Sequence, residues 1–200
     1  MLVPPLCWGC GGVARRRELL CVGCRRLLRR LGPEPVWLSG VRVWAPVAYA
    51  GPARDLVRAL KFRGAAAVAD TMAALIAANI PSSMLEGVLV PVPLHPRRLR
   101  RRGYNQARLI AEALARRTGL ELADSLARAG STVTQVGRDR RERRLGPAGS
   151  IELRGALPGR VLIVDDVATT GATLAACAAA LRAAGPVNVA ALVFARTIGR

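Results

Sequence analysis

Along this chain, stretches with every second residue apolar give way to stretches where apolar residues recur every third or fourth position. VRVWAPVAYA (41–50) has the two-residue period of a half-buried strand, and Tyr49-Ala50-Gly51-Pro52 ends it. ARDLVRALKF (53–62) places Leu56, Ala59 and Leu60 at helical spacing. A second helix is predicted from Asp70 to Asn79, stopped by Pro81. GVLVPVPL (87–94) reads as a buried strand, followed by the arginine-rich turn HPRRLRRRG (95–103). Residues 104–117 predict an amphipathic helix with Leu109, Ile110 and Leu114 on one face, and 128–150 carry no apolar period and read as an exposed loop. RVLIVDD (160–166) is an apolar strand up to its two acids. A Thr/Gly loop and a helix to Ala184 follow, Gly185-Pro186 stops that helix, and NVAALVFAR (188–196) is the last strand. There is no internal repeat.

Strands alternating with helices predict an α/β fold, a parallel sheet covered by helices on both faces. Ligands of such sheets collect beyond the carboxyl ends of the strands. Three segments sit at such ends: 93–103, 165–173 and the residues after Phe194.

A length of 200 residues allows one ordinary domain and a small appendage. No apolar run approaches the roughly 18 residues of a membrane span. MLVPPLCWGC lacks the basic and apolar regions of a signal peptide, so a cytoplasmic location is expected. Lys and Arg number 31 against 13 Asp and Glu, for a formal net charge of +18, and the single lysine is Lys61. A composition bias explains arginine in place of lysine but not the excess of positive charge. That excess favours polyanions such as nucleic acid or phosphorylated metabolites.

Four cysteines form CWGC and CVGC: Cys7, Cys10, Cys21 and Cys24. Each C-x-x-C turn aims two sulfurs at one point, and two such turns complete a tetrahedral site that suits structural zinc. Gly9 and Gly23 ease the turns, and Gly11 with Gly12 supplies a knuckle. Disulfides are disfavoured in a cytosolic chain, and ribbon-like spacing favours zinc over an iron–sulfur cluster. Cys177, in an alanine-rich helix, reads as a small buried apolar residue. Arg15, Arg16 and Arg17 lie inside the cysteine loop, and Arg25, Arg26, Arg29 and Arg30 follow it. LGPEP (31–35) then breaks the chain. The expected organisation is a zinc ribbon over 1–35 and an α/β domain over 41–200.

Asp165 and Asp166 stand directly before a loop suited to anions, Thr169-Thr170-Gly171-Ala172-Thr173. A Mg2+-binding carboxylate of a P-loop enzyme needs a G-x-x-x-x-G-K-[ST] motif, and Lys61 has none around it. A phospho-receiver needs its acids near the first strand. A strand-end capping Asp explains one acid, not the string. A sugar phosphate explains all of it: the loop takes the phosphate, and the carboxylates accept hydrogen bonds from vicinal hydroxyls of the sugar.

VLIVDDVATTGAT resembles the 13-residue signature of type I phosphoribosyltransferases, which bind 5-phosphoribosyl-1-pyrophosphate (PRPP), with Ala168 where a bulkier apolar residue is usual. Nearly end to end, the chain resembles the ComF family of competence-associated proteins with that fold. The resemblance rests on CWGC…CVGC, YAGPARDLVRALKFRG from Tyr49, VPVPLHPRRLRRRGYNQA from Val90, and TQVGRDRRERRLGPAGSI from Thr134, with Gly146 where the family usually has Asn.

The resemblance implies a catalytic and ribose-binding role for Asp165 and Asp166, and phosphate binding by Ala168, Thr169, Thr170, Gly171, Ala172 and Thr173. Leu94, His95 and following arginines such as Arg97 and Arg102 would face pyrophosphate, with Mg2+ bridging pyrophosphate and ribose oxygens. A flexible loop would bring Thr134, Gln135, Arg138, Arg140, Arg141 and Arg143 over the site. His95 is expected either to donate to pyrophosphate or to serve the turn. Lys61 and Arg63 either line the cleft or snorkel from a helix end. Asn105 is expected as a helix cap and Tyr104 in packing, or else the Tyr104-Asn105-Gln106 trio touches ligand. No acidic or aromatic constellation selects an acceptor base, and no general base stands out. The family name and charge also suggest single-stranded DNA as a partner, with a DNA-uptake channel or a helicase as further partners. Trp8, Trp37, Trp44 and Tyr104 are the aromatic candidates for stacking.

Overall fold

The computed structural model describes residues 5–16, 18–62, 65–128, 151–155, 159–185 and 188–199. In chain order its elements are α1 (Val22–Arg26), β1 (Val36–Leu38), β2 (Val41–Trp44), β3 (Val47–Ala48), α2 (Gly51–Phe62), α3 (Ala65–Ala77), a 3-10 turn (Ser82–Met84) and β4 (Val88–Pro91). Then come α4 (Pro96–Arg102), α5 (Gln106–Thr118), β5 (Leu126–Arg128), β6 (Ile151–Leu153), β7 (Arg160–Ala168), α6 (Ala172–Ala183) and β8 (Asn188–Arg196).

The main sheet runs β1-β2-β8-β7-β4, with β3 also beside β8. β2, β3, β8, β7 and β4 pair in parallel, and β1 closes one edge antiparallel to β2. The sheet's two-residue period sorts its side chains into two cores. Leu162, Val164, Leu192 and Phe194 pack with Leu56 and Leu60 of α2, Met72 and Ile76 of α3, and Ile110 and Leu114 of α5. Val161, Ile163, Val189, Ala191 and Val193 pack instead with Leu174, Cys177 and Leu181 of α6. Helices thus cover both faces, as strands apolar on both sides require.

The same alternation fixes the acids that follow Val164. By parity Asp165 belongs to the α6 side and Asp166 to the α2 side, so two neighbours in sequence leave the strand toward different elements.

Several expected boundaries differ. The strand expected over 41–50 is two pieces, because Pro46 has no N–H for the ladder. The arginine-rich stretch after β4 is a helix, not a turn: Pro96 sits in its first turn and Gly103 closes it at φ 81°. α3 begins at Ala65, before the expected Asp70. β1 and the strands of the β5–β6 ribbon, three residues each, are too short to show a period. Thr134, Gln135, Arg138, Arg140, Arg141, Arg143 and Gly146 lie outside the described residues, as do Arg17 and Arg63. Among the described residues, no helix is long and apolar enough to cross a membrane.

The cysteine-bearing segment is packed on this body. Cys7, Ala14, Leu20, Cys24 and Leu28 share one buried cluster with α2, α3 and α5. Leu31 N–H and Ala48 N–H extend the join by donating to Pro46 O and Arg29 O, at 2.9 and 2.8 Å.

Phe194 is fully buried at the centre of the larger cluster. Truncation to Ala is expected to cost about 3–5 kcal/mol, read as a lower urea midpoint at unchanged slope.

Candidate functional site

The carboxyl ends of β4 and β7 lie side by side, and a cavity of about 190 Å³ opens there. Asp165, Asp166, Val167 and Thr173 line it from the β7–α6 side. Val92, Pro93, Leu94, His95 and Arg98 line it after β4, and Lys61, Gln106 and Arg128 complete the wall. Of the residues singled out in the sequence, the cavity gathers Asp165, Asp166, Thr173, Leu94, His95 and Lys61. It also holds Gln106, from the trio expected either to pack or to touch ligand, and Arg98, one of the arginines after His95 though not one named; Arg128 was not foreseen. Hydropathy cannot tell which arginine of PRRLRRR turns inward, and Arg128 arrives from the distant ribbon, its Nε donating to Pro93 O at 3.1 Å.

Arg97 and Arg102 stand outside the lining of this cavity. Arg97 donates its backbone N–H to His95 Nδ1 at 3.2 Å, and Arg102 donates to Gln106 Oε1 at 2.5 Å. His95 therefore caps α4 with Nδ1, which places its ring proton on Nε2, the nitrogen left to the cavity. Asn105 caps α5, accepting from Ala107 N and donating to Val92 O at 3.0 and 2.9 Å. Tyr104 donates its hydroxyl to Leu60 O at 2.5 Å, tying the start of α5 to the end of α2.

The two acids differ sharply in surroundings. Asp166 is 2% exposed, and Lys61 Nζ lies 2.8 Å from its Oδ2. The contact is an ion pair off the axis of a hydrogen bond, and Oδ2 itself is buried beneath it. Asp165 is also buried, and its Oδ1 accepts the backbone N–H of Asp166 at 2.8 Å. Burial, and then the negative charge of Asp166, push the Asp165 carboxyl well above the usual carboxylate range. Burial followed by the charge of Asp165 pushes the Cys177 thiol of α6 up to about 12, in keeping with a residue used for packing.

The loop between β7 and α6 is held by its carbonyls. Thr197 N donates to Ala168 O at 2.9 Å, Thr197 Oγ1 to Thr169 O at 3.2 Å, and Ser39 Oγ to Thr170 O at 2.8 Å. In a trans peptide the C=O and the next N–H point opposite ways. Three consecutive carbonyls pinned on one side turn the N–H groups of Thr169, Thr170 and Gly171 to the other. The N–H groups of Thr173 and Leu174 add the first turn of α6, which has no intrahelical acceptor for them, while Ala172 N–H donates to Thr170 Oγ1 at 3.4 Å. Consecutive amides at a helix start form a cradle for an anion. Gly171 is required there: its φ is 83°, and a Cβ would meet Leu38 Cβ at 2.7 Å. Ser39 has φ 47° and is, among the described residues, the one non-glycine with positive φ. The β1–β2 hairpin turn is thus bent so that its hydroxyl reaches the loop.

The second candidate centre is the cysteine cluster. The four sulfurs of Cys7, Cys10, Cys21 and Cys24 all lie within 4.8 Å of one another and could hold a metal ion. Cys10 Sγ and Cys21 Sγ are 3.8 Å apart. A tetrahedron with metal–sulfur bonds of about 2.3 Å has edges of about 3.8 Å, so the donor set fits Zn2+. Cys21 caps α1 with its sulfur, which accepts Cys24 N–H at 3.4 Å, while Cys21 N–H donates to Cys7 Sγ at 3.2 Å. Gly9 leaves space for a sulfur, since a Cβ there would lie 3.0 Å from Cys24 Sγ. Burial pushes the Cys7 thiol up, but N–H groups of Cys21, Cys10 and Gly9 outweigh it and bring it to about 6. Burial and the neighbouring sulfurs push Cys24 up. A cation is what allows four sulfurs at this spacing to be thiolates together.

No family model matches the sequence. Full-length similarity does exist. The chain is 31% identical to the DNA utilization protein YhgH of Escherichia coli (strain K12) over 96% of its own length and 85% of that protein. It is 31% identical to the same-named protein of Salmonella typhimurium, again over 96% and 85%. It is 31% identical to Competence protein F of Haemophilus influenzae over 90% of its length and 80% of that protein.

Stripping metal from the purified chain with a strong chelator is expected to release about one equivalent of Zn2+. It should also lower the melting temperature of the whole molecule, because the cysteines share the main core. Calorimetry with a colorimetric zinc assay measures both, and unchanged melting after full release would contradict it. Asp165 gives a pH test. Its folded pKa lies above its unfolded one, so the stability tied to its protonated form is present at acid pH and lost as pH rises through the folded value. At neutral pH the buried carboxylate costs stability. Asp165→Asn is therefore expected to raise the melting temperature at neutral pH, with the gain shrinking as pH falls toward the ordinary carboxylate range.

Proposed function

The chain belongs to the ComF family, and from that premise we propose a type I phosphoribosyltransferase-like protein that binds PRPP or a related sugar phosphate and handles single-stranded DNA during uptake. The names DNA utilization protein and competence protein of its relatives support the DNA part. One arrangement carries the sugar-phosphate part: two buried carboxylates at the end of β7 line a small cavity edged by Lys61, His95, Arg98 and Arg128, and the amide cradle follows them in the chain, with Thr173 in the cavity wall.

In this reading Asp165 and Asp166 accept hydrogen bonds from the ribose 2′ and 3′ hydroxyls. The amides of residues 169–171 and of Thr173 and Leu174 take the 5′-phosphate. His95 Nε2 and Arg98 face the pyrophosphate, and Arg128 closes the wall beside them. Mg2+ would arrive with pyrophosphate oxygens and offset their charge; the two aspartates offer it hard oxygen donors but no complete shell. Preorganised cations in a cavity this small stabilise a departing anion more than the same charges in water. Zinc, by contrast, is structural here: four sulfurs leave no open coordination position.

A catalytically active transferase with an acceptor still to be found is the second reading. A cavity of about 480 Å³ shares Pro93, Leu94 and Arg128 with the sugar-phosphate cavity, which is space for an acceptor base. Its two lining carboxylates, Glu112 and Asp124, are both held by Arg108 at 2.8 Å, so neither stands free as a general base. Pyrophosphate release dependent on one acceptor would favour this reading.

Calorimetric titration of the zinc-loaded chain with PRPP and Mg2+ is the deciding experiment. Saturable binding is expected, lost in the Asp165→Asn/Asp166→Asn double variant. Thr197→Val, which keeps the fold but frees the Thr169 carbonyl, is expected to weaken binding roughly 10-fold, the worth of about 1.4 kcal/mol, and Thr197→Ser to restore it. A folded, zinc-replete protein that gives no heat with PRPP would reduce the signature to a retained scaffold.

A further inference from the structure

Phe62 ends α2 with 70% of its surface exposed. Two cavities meet at its ring. One, of about 430 Å³, is lined by Trp8, Gly9, Asp55, Arg58, Ala59 and Phe62. The other, of about 460 Å³, is lined by Lys61, Phe62, Arg101, Arg102 and Tyr104. The Arg102 guanidinium carbon lies 5.9 Å from the centre of the Phe62 ring, a cation–π distance that holds both side chains in place. Trp8 is carried by the cysteine knuckle, where its N–H donates to Leu19 O at 2.9 Å. A groove therefore runs from the metal cluster, along the last turns of α2, to the end of α4. The rings of Trp8, Phe62 and Tyr104 line it, and Arg58, Arg101 and Arg102 edge it. Among the described residues, Asp55 is the one carboxylate in its lining.

Rings and cations side by side match one kind of polymer. A single strand of nucleic acid offers aromatic faces and phosphates in alternation, whereas a duplex hides the faces of its bases. A formal charge of +18 favours such a polyanion. Other aromatic residues are placed differently. Trp44 is 1% exposed in the core, Tyr104 lines the groove but its hydroxyl is tied to Leu60 O, and Trp37, 69% exposed, lies on the edge strand β1 outside the lining of either cavity. The geometry points to this groove as the seat of single-stranded DNA, with bases stacking on Trp8 and Phe62 and phosphates on Arg58, Arg101 and Arg102. The inference rests on the DNA reading above and adds where the strand lies. At its far end the groove reaches Lys61, which also lines the sugar-phosphate cavity.

Fluorescence anisotropy with a labelled oligothymidylate of about 15 nucleotides, beside an abasic strand of equal length and charge, tests this. The full zinc-loaded chain is expected to bind thymidylate roughly 10-fold tighter than the abasic strand. Phe62→Ala and Trp8→Ala should each lose most of that preference while holding the abasic strand as before, and Phe62→Trp should restore it. Arg58→Gln should weaken both strands alike and flatten the salt dependence. A change confined to folding would not separate the two strands. If Trp8→Ala and Phe62→Ala keep the wild-type preference, the strand lies elsewhere and only this inference falls. If the wild-type chain binds no single strand even at low salt, this inference and the DNA reading fall together.

Discussion

Asp166 sits at the end of an apolar strand with 3% of its side chain exposed, and its charge partner among the described residues is Lys61 at 2.8 Å. A buried carboxylate that stays charged needs a cation, and removing one member of such a pair costs about 3–5 kcal/mol because the other is left uncompensated. The end of α2 must therefore lie against the end of β7. Tyr104 then ties the same turn of α2 to the start of α5 through Leu60 O. Leu56 and Leu60 of α2 reach the core shared by three helices and the cysteine segment. One ion pair thus coincides with the junction of the sheet, the helical layer and the knuckle. Asp165 has no such partner among the described residues, and burial, then the neighbouring charge of Asp166, raise its pKa.

The anion cradle depends on a different economy. Backbone amides become available when the carbonyls beside them are satisfied elsewhere. Thr197, just past β8, and Ser39, in the β1–β2 turn, provide that satisfaction from opposite ends of the chain. Neither hydroxyl faces the cavity. Both act through the loop, which is why a strained φ at Ser39 is tolerated: the surrounding hairpin and Leu38 against Gly171 over-determine it.

Positive charge is not spread evenly in purpose. Arg108 and Arg117 are occupied by carboxylates, the latter with Asp70, whose carboxyl its hydrogen bond holds below the usual range. Arg98 and Arg128 belong to the cavity, Arg102 to Gln106 and the Phe62 ring. An excess that composition reports as one number is divided by the fold into helix pairing, cavity wall and groove edge.

Much of the architecture was legible in residue order. The long strands around Ile163 and Leu192, the helices around Leu56, Ile110 and Cys177, and the paired C-x-x-C turns follow from local period and spacing, because each signal repeats within one element. The acids beside the Thr/Gly loop were legible for the same reason. Short elements were not: three residues of β1, β5 or β6 contain no full period, and α4 carries charge on every face but Leu99. What tertiary structure alone decided is which distant side chains meet. Lys61 was ambiguous until packing set α2 against β7. Arg128, Gln106 and Ser39 joined their sites through contacts across the chain. Phe62 was unremarkable as the last apolar residue of a helix until its ring was found exposed between two cavities. Sequence determines what repeats or sits adjacent, since those contacts are local; it does not by itself encode a site closed by side chains far apart, because that closure depends on the sum of all the packing between them.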